Sequence, residues 1–242
     1  NNSTNFPVST LYGANYFMSD DGGLNWGGEI FGAGGPNSGD PTTAISLDGR
    51  MYVGYIHNNY GQGVSHSTDG GLTWTAVVVA PSPGGWGLLD KNHMWIDNSP
   101  VSPHQGNLYN AWTPFGGAND EEIELKRSTD GGLTWGPAIN LSSAVNAGSH
   151  NQGVNIQTGP NGEVYVVWSI YDSWPQDEKA LGFAKSLDGG ATFQPATRII
   201  DNIRGIRNTE TGKNHRVNAF PSMAVDISGG SNDGNIYIVW TN

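Results

Sequence analysis

Residues 67–74 read STDGGLTW, and residues 128–135 read the same eight letters. Near copies stand at 19–26 (SDDGGLNW) and 186–193 (SLDGGATF), so the octets start 48, 61 and 58 residues apart. Such spacing marks a repeat architecture. The Gly-Gly pair supplies the positive φ angles of a tight hairpin without steric cost. The Asp at the third position (Asp21, Asp69, Asp130, Asp188) is suited to accept bonds from N–H groups of its own turn. The closing aromatic (Trp26, Trp74, Trp135, Phe193) is expected to tuck between neighbouring sheets. A residue repeated in every unit serves the unit, whereas an active site occurs once. The octet reads as a structural hairpin.

Outward from the octets the unit grows to four strands. A second pattern recurs as GRMYVGY (49–55), GNLYNAW (106–112), GEVYVVW (162–168) and GNIYIVW (234–240), each a turn Gly followed by period-two alternation. Upstream lie TTAIS (42–46), MWID (94–97), VNIQ (154–157) and SMAVD (222–226), and strand-like stretches flank each octet. The unit is four antiparallel strands with the octet between the third and fourth. The organisation expected is an all-β chain: half-unit 1–39, units 40–80, 92–142 and 150–200, half-unit 216–242. The complementary halves either close a four-unit ring or belong to an excerpt of a longer parent chain; an open excerpt standing alone would leave bare strand edges, so a larger parent protein is expected.

Composition sets limits. With 36% apolar residues the chain can build a core, and 36 Gly and 13 Pro suit short strands joined by turns. The net charge of −11 argues against nucleic acid, which needs a basic surface. No apolar run approaches the roughly 18 residues of a membrane span. The sequence holds no Cys, so disulfides and thiolate chemistry are excluded. No signal peptide is evident, so a mature or excerpted form is expected, and the excess of Asn, Gly, Ser and Thr points to an extracellular or cell-surface location.

The octet pattern S-x-D-x-G-x-T-W resembles the Asp box, or BNR repeat, of sialidases and sialidase-like β-propellers. Asn25 replaces Thr in the first copy and Phe193 replaces Trp in the fourth. The resemblance covers almost the whole chain and implies four-stranded blades arranged radially. The same box occurs in xyloglucanases and sorting receptors, so it identifies a fold better than a reaction. Sialidases also imply an arginine triad, an Asp acid/base and a Tyr–Glu nucleophile pair, with an Arg-Ile-Pro segment before the first blade. That tripeptide is absent, and the six arginines (50, 127, 198, 204, 207, 216) do not recur at places that name a triad. No catalytic residue is assigned.

Function is expected in the loops that break the repeat. In propellers the 4→1 and 2→3 loops share one face, opposite the octets. Trp86 and Trp174 are the two Trp residues in such loops, as candidate sugar-stacking platforms or as packing for their own loops. Arg198, Arg204, Arg207, Lys213 and Arg216 concentrate between 198 and 216, suited to a carboxylate or sulfate or simply to local ion pairs. Asp90, His93, His150, Tyr171 and Asp172 complete the candidate glycan-binding set. Asp97 and Asp226 open two similar loops rich in oxygen, a Ca²⁺ possibility set against turn capping; no other cofactor is expected. Two readings stand: a secreted glycan-recognising or scaffolding propeller, or a glycoside hydrolase of exo-sialidase type.

Overall fold

The computed structural model describes residues 15–30, 37–145, 150–208 and 217–242. Among these residues every regular element is a strand. Three four-stranded antiparallel sheets follow one another: β3 (Asn37–Ile45) to β6 (Thr75–Ala80), β7 (Leu88–Ile96) to β10 (Ile139–Asn140), and β11 (His150–Thr158) to β14 (Thr197–Asp201). The second strands are β4 (Met51–His57), β8 (Leu108–Phe115) and β12 (Val164–Tyr171); the third are β5 (Gln62–Ser67), β9 (Glu124–Ser128) and β13 (Ala180–Ser186). Within each sheet the order across is the order along the chain. Two-stranded sheets precede and follow them: β1 (Asn15–Met18) with β2 (Gly27–Ile30), and β15 (Ser222–Val225) with β16 (Ile236–Val239). These two do not pair with each other, so the described strands do not close a ring.

From the β3–β6 sheet onward, each of the three intervals between successive sheets holds its own apolar core. Tyr52, Val64, Met94, Leu108 and Trp112 fill the first. Tyr109, Leu125, Ile156, Val166 and Trp168 fill the second. Val167, Leu181 and Met223 fill the third, against Ile238 and Trp240. A fully buried aliphatic side chain in such a core contributes on the order of 2 kcal/mol. The first strands gather together, β7 between β3 and β11, and β11 between β7 and β15. The fourth strands β6 and β14 lie outermost and are largely exposed.

Three octets fall between a third and a fourth strand and the first falls between β1 and β2, and all four share one hydrogen-bond set. Ser67 Oγ donates to Asp69 Oδ1 at 2.8 Å, Thr73 N donates to the same oxygen at 2.9 Å, and Thr73 Oγ1 donates to Oδ2 at 2.6 Å. Asp130 and Asp188 repeat this with Thr134 and Thr192. In the first octet Asn25 donates its side-chain amide to Asp21 in place of the hydroxyl. With their oxygens so engaged, Asp21, Asp69 and Asp130 are held down at about 2, chiefly by bonds from the Asn25 backbone and from the Thr73 and Thr134 hydroxyls respectively.

A second recurring device staples one sheet to the next. Tyr52 Oη and Arg50 Nη1 both donate to Gly131 O of the next octet, at 3.3 and 3.2 Å. Tyr109 Oη and Arg127 Nη1 do the same to Gly189 O at 3.1 and 3.0 Å. Arg127 thus works on the octet side of the sheets, away from the candidate face. The two guanidinium groups reach equivalent carbonyls from non-equivalent sequence positions.

The first strands depart from the sequence expectation. They begin upstream of the apolar stretches, at Asn37, Leu88 and His150, and each carries register shifts, near Gly39, between Asp90 and His93, and between Gln152 and Asn155. Each bulge carries positive φ: Gly39 (103°) and Asp40 (49°) in the first, Lys91 (52°) in the second and Gly153 (77°) in the third. The bulge breaks the period-two pattern, and so conceals a strand whose upstream half is polar. Asp90, His93 and His150 are therefore strand residues.

Candidate functional site

The upstream ends of the bulged first strands and the 2→3 loops meet at one end of the molecule, opposite the octets. At their meeting point lies His150, fully buried, with its ring stacked on Trp174 at a centroid distance of 3.7 Å. Phe115 and Tyr171 close the other sides at 5.3 and 5.4 Å. The Arg207 guanidinium lies 3.9 Å from the Trp174 ring centroid and donates to Pro175 O and Asn218 Oδ1. Burial, aided by the Arg207 charge, lowers His150 to about 4, so its imidazole is neutral at pH 7.

Polar links run from His150 in two directions. Its Nε2 faces Gln152 Oε1 at 3.4 Å, and Gln152 Nε2 donates to Asp90 Oδ2 at 2.8 Å. Its Nδ1 lies 3.7 Å from Glu121 Oε1. Glu121 sits at φ +63° in the 2→3 loop, its N–H bonded to Pro114 O and its carbonyl accepting from Asn151 N. Burial and neighbouring Asp120 raise its carboxyl above the ordinary value.

Beneath this layer is Glu178, fully buried. It accepts from Tyr171 Oη at 2.9 Å, Ala219 N at 2.9 Å, Ile206 N at 3.0 Å and Arg207 N at 3.3 Å. Tyr171 and Glu178 are a Tyr–Glu pair such as the sialidase resemblance implies, yet both are buried. Their visible work is to anchor the segment that presents Arg207.

The remaining candidates are dispersed. Trp86 is fully exposed on the 4→1 loop between Gly84 and Gly85 and Gly87. His93 accepts from Ile156 N through Nδ1 at 3.2 Å and stacks near Trp95. Burial and Lys91 lower His93 to about 4. Asp172 forms a two-pronged ion pair with Arg198, which also binds Asp201. Arg204 is exposed, and its backbone N–H donates to Asn242 Oδ1. Arg216 and Lys213 lie outside the described residues. Asp97 is buried, accepting from Ser99 N and Ser102 Oγ, while Asp226 accepts from Ser228 N. Glu121, Gln152 and Glu178 were not singled out by sequence, although Glu121 and Glu178 stand in the two longest 2→3 loops.

No protein-family model matches the chain. Its fold is similar to that of an alpha-L-arabinofuranosidase of Fusarium graminearum in complex with arabinobiose, with TM-score 0.53 and 14% identity over 93% of this chain and 66% of that one. An alpha-L-arabinofuranosidase of Clostridium thermocellum gives TM-score 0.51 and 18% identity over 99% and 76%. A protein of unknown function from Dyadobacter fermentans gives TM-score 0.52 and 19% identity over 82% and 61%. The two arabinofuranosidases are β-propeller glycosidases. The likeness is one of fold. In sequence, 90 residues are 33% identical to Xyloglucanase Xgh74A of Acetivibrio thermocellus, covering 34% of this chain and 10% of that protein. The chain thus spans about a tenth of the curated relative it matches and under two thirds of the Dyadobacter structure. No helix among the described residues is long and apolar enough to cross a membrane.

Proposed function

We propose that the chain is a set of successive blades of an Asp-box, sialidase-like propeller, and that its octet-distal face binds glycans outside the cell. The observation that carries this is the convergence of Asp90, His150, Tyr171, Trp174 and Arg207 from separate sheets and loops onto one end of the gathered first strands. Four octets with one shared bond set support the Asp-box reading, and the glycosidase propellers of similar fold support a sugar ligand. Trp86 presents an open ring for stacking on the apolar face of a sugar. Trp174 carries His150 and Arg207 on its ring, so its contribution is to hold the Arg207 cation toward an acidic substituent. That cation offsets, locally, a chain net charge of −11. The alternative, a glycoside hydrolase of exo-sialidase type, is favoured by the Tyr171–Glu178 pair but not by its burial.

A glycan microarray probed with wild type and with Trp86→Ala/Trp174→Ala tests the proposal. Binding of at least one glycan class by wild type, lost in the double variant, is expected. Full binding by the double variant would remove the aromatic platform, and release of free sugar by wild type would favour the hydrolase.

A further inference from the structure

The bonds around His150 fix where its proton resides. Asp90 Oδ2 accepts from Gln152 Nε2, which turns Gln152 Oε1 toward His150. That oxygen only accepts, so His150 Nε2 carries the hydrogen and Nδ1 is left as a lone pair. Nδ1 is buried without a hydrogen-bond partner, and the atom it faces is Glu121 Oε1 at 3.7 Å. A lone pair opposite a carboxylate is repulsive; a proton between them makes the pair attractive. The charged groups acting on the pair are Asp120 beside Glu121, which favours holding a proton, and Arg207 over Trp174, which opposes a charged imidazole. Glu121 is also a non-glycine residue at positive φ, held there by backbone bonds on both sides, the kind of strain that clusters at functional sites.

We propose that Glu121 is a ligand-binding residue of this face that acts as a neutral carboxylic acid, its one proton directed at His150 Nδ1 and its other oxygen free to accept from a hydroxyl of a bound sugar, with His150, Gln152 and Asp90 as the positioning residues that keep it protonated. The ligand class follows from the chemistry: the neutral carboxyl accepts from a sugar hydroxyl through its free oxygen and, carrying no charge, does not repel an acidic substituent held by Arg207. Losing the proton would set a carboxylate against that substituent, so binding of an acidic glycan is stronger in mild acid than in mild base. The ligand part rests on the glycan reading above; the protonation part does not.

Two measurements separate them. NMR of the whole chain, with ¹⁵N in His and ¹³C in the Glu carboxyl, is expected to show His150 as the Nε2–H tautomer at pH 7 and Glu121 titrating above the ordinary Glu value. Gln152→Leu is expected to relax both. An Nδ1–H tautomer, or ordinary titration of Glu121, would overturn the proposal whatever the ligand. The second measurement is a microarray of neutral and sialylated oligosaccharides at pH 5 and pH 8. Affinity for the sialylated ones at pH 5 is expected to exceed that at pH 8 by roughly threefold to tenfold, the worth of one charge repulsion in a solvated site. Glu121→Gln, whose amide still donates, is expected to bind with that pH dependence removed. Binding equal at both pH values would overturn the role of Glu121 while leaving the glycan reading intact. No binding under any condition would overturn the ligand part and the glycan reading together, with the NMR result deciding the proton.

Discussion

At the scale of single residues, the octet carboxylates and the buried imidazoles divide acid unfolding into two windows. His93 and His150 are lowered from 6.5 to about 4 by burial, so the unfolded chain binds protons that the folded chain refuses. Their contribution is present above pH 6.5 and is lost as pH falls toward 4. Asp21, Asp69 and Asp130 are lowered from 3.8 to about 2 by their turn bonds, and Asp188 lies lower still. Their contribution is complete above pH 3.8 and drains away toward pH 2. Urea midpoints measured from pH 7 to pH 2 are expected to fall in both windows. In Asp130→Asn the lower decline should shrink and the upper one persist. The same variant should leave glycan binding untouched, because the octets stand opposite the candidate face.

At the scale of elements, the staples and the bulges are what position the sheets. Tyr109→Phe deletes a buried donor to Gly189 O while Arg127 keeps that carbonyl satisfied, so a loss of about 1 kcal/mol in denaturant unfolding is expected. Gly153→Ala should cost more, roughly 2 kcal/mol or above, because an L residue at φ +77° is strained and a Cβ there would stand 2.1 Å from the Phe220 ring. The staple was not legible in the sequence: the recurring Tyr of the second strands reads as a strand aromatic, and its hydroxyl finds its partner about 80 residues away. The bulges were concealed for a different reason. Each inserts residues that shift the alternation, and the polar sequence upstream resembles a loop.

At the scale of the whole molecule, the two short sheets present exposed apolar groups: Phe17 and Trp26 beside β1–β2, and Tyr237 and Val239 on β16. Unpaired strand edges with apolar faces invite association. Sedimentation velocity over rising concentration is therefore expected to show self-association, weakened by Val239→Lys; a monomer at every concentration would contradict this.

The sequence by itself determined the repeat, and through it the all-β, four-stranded antiparallel sheets and the positions of the hairpins. Those features are local: a Gly-Gly turn, an Asp within four residues of its donors, and a period of two are complete within one unit. Only the tertiary structure decided which side chains of the candidate face touch. Asp90 comes from β7, His150 and Gln152 from β11, and Glu121 and Glu178 from two loops, and their meeting depends on how successive sheets pack along the gathered first strands. The protonation of His150 and the anchoring of Arg207 follow from that meeting, because desolvation and hydrogen-bond direction are properties of neighbours in space.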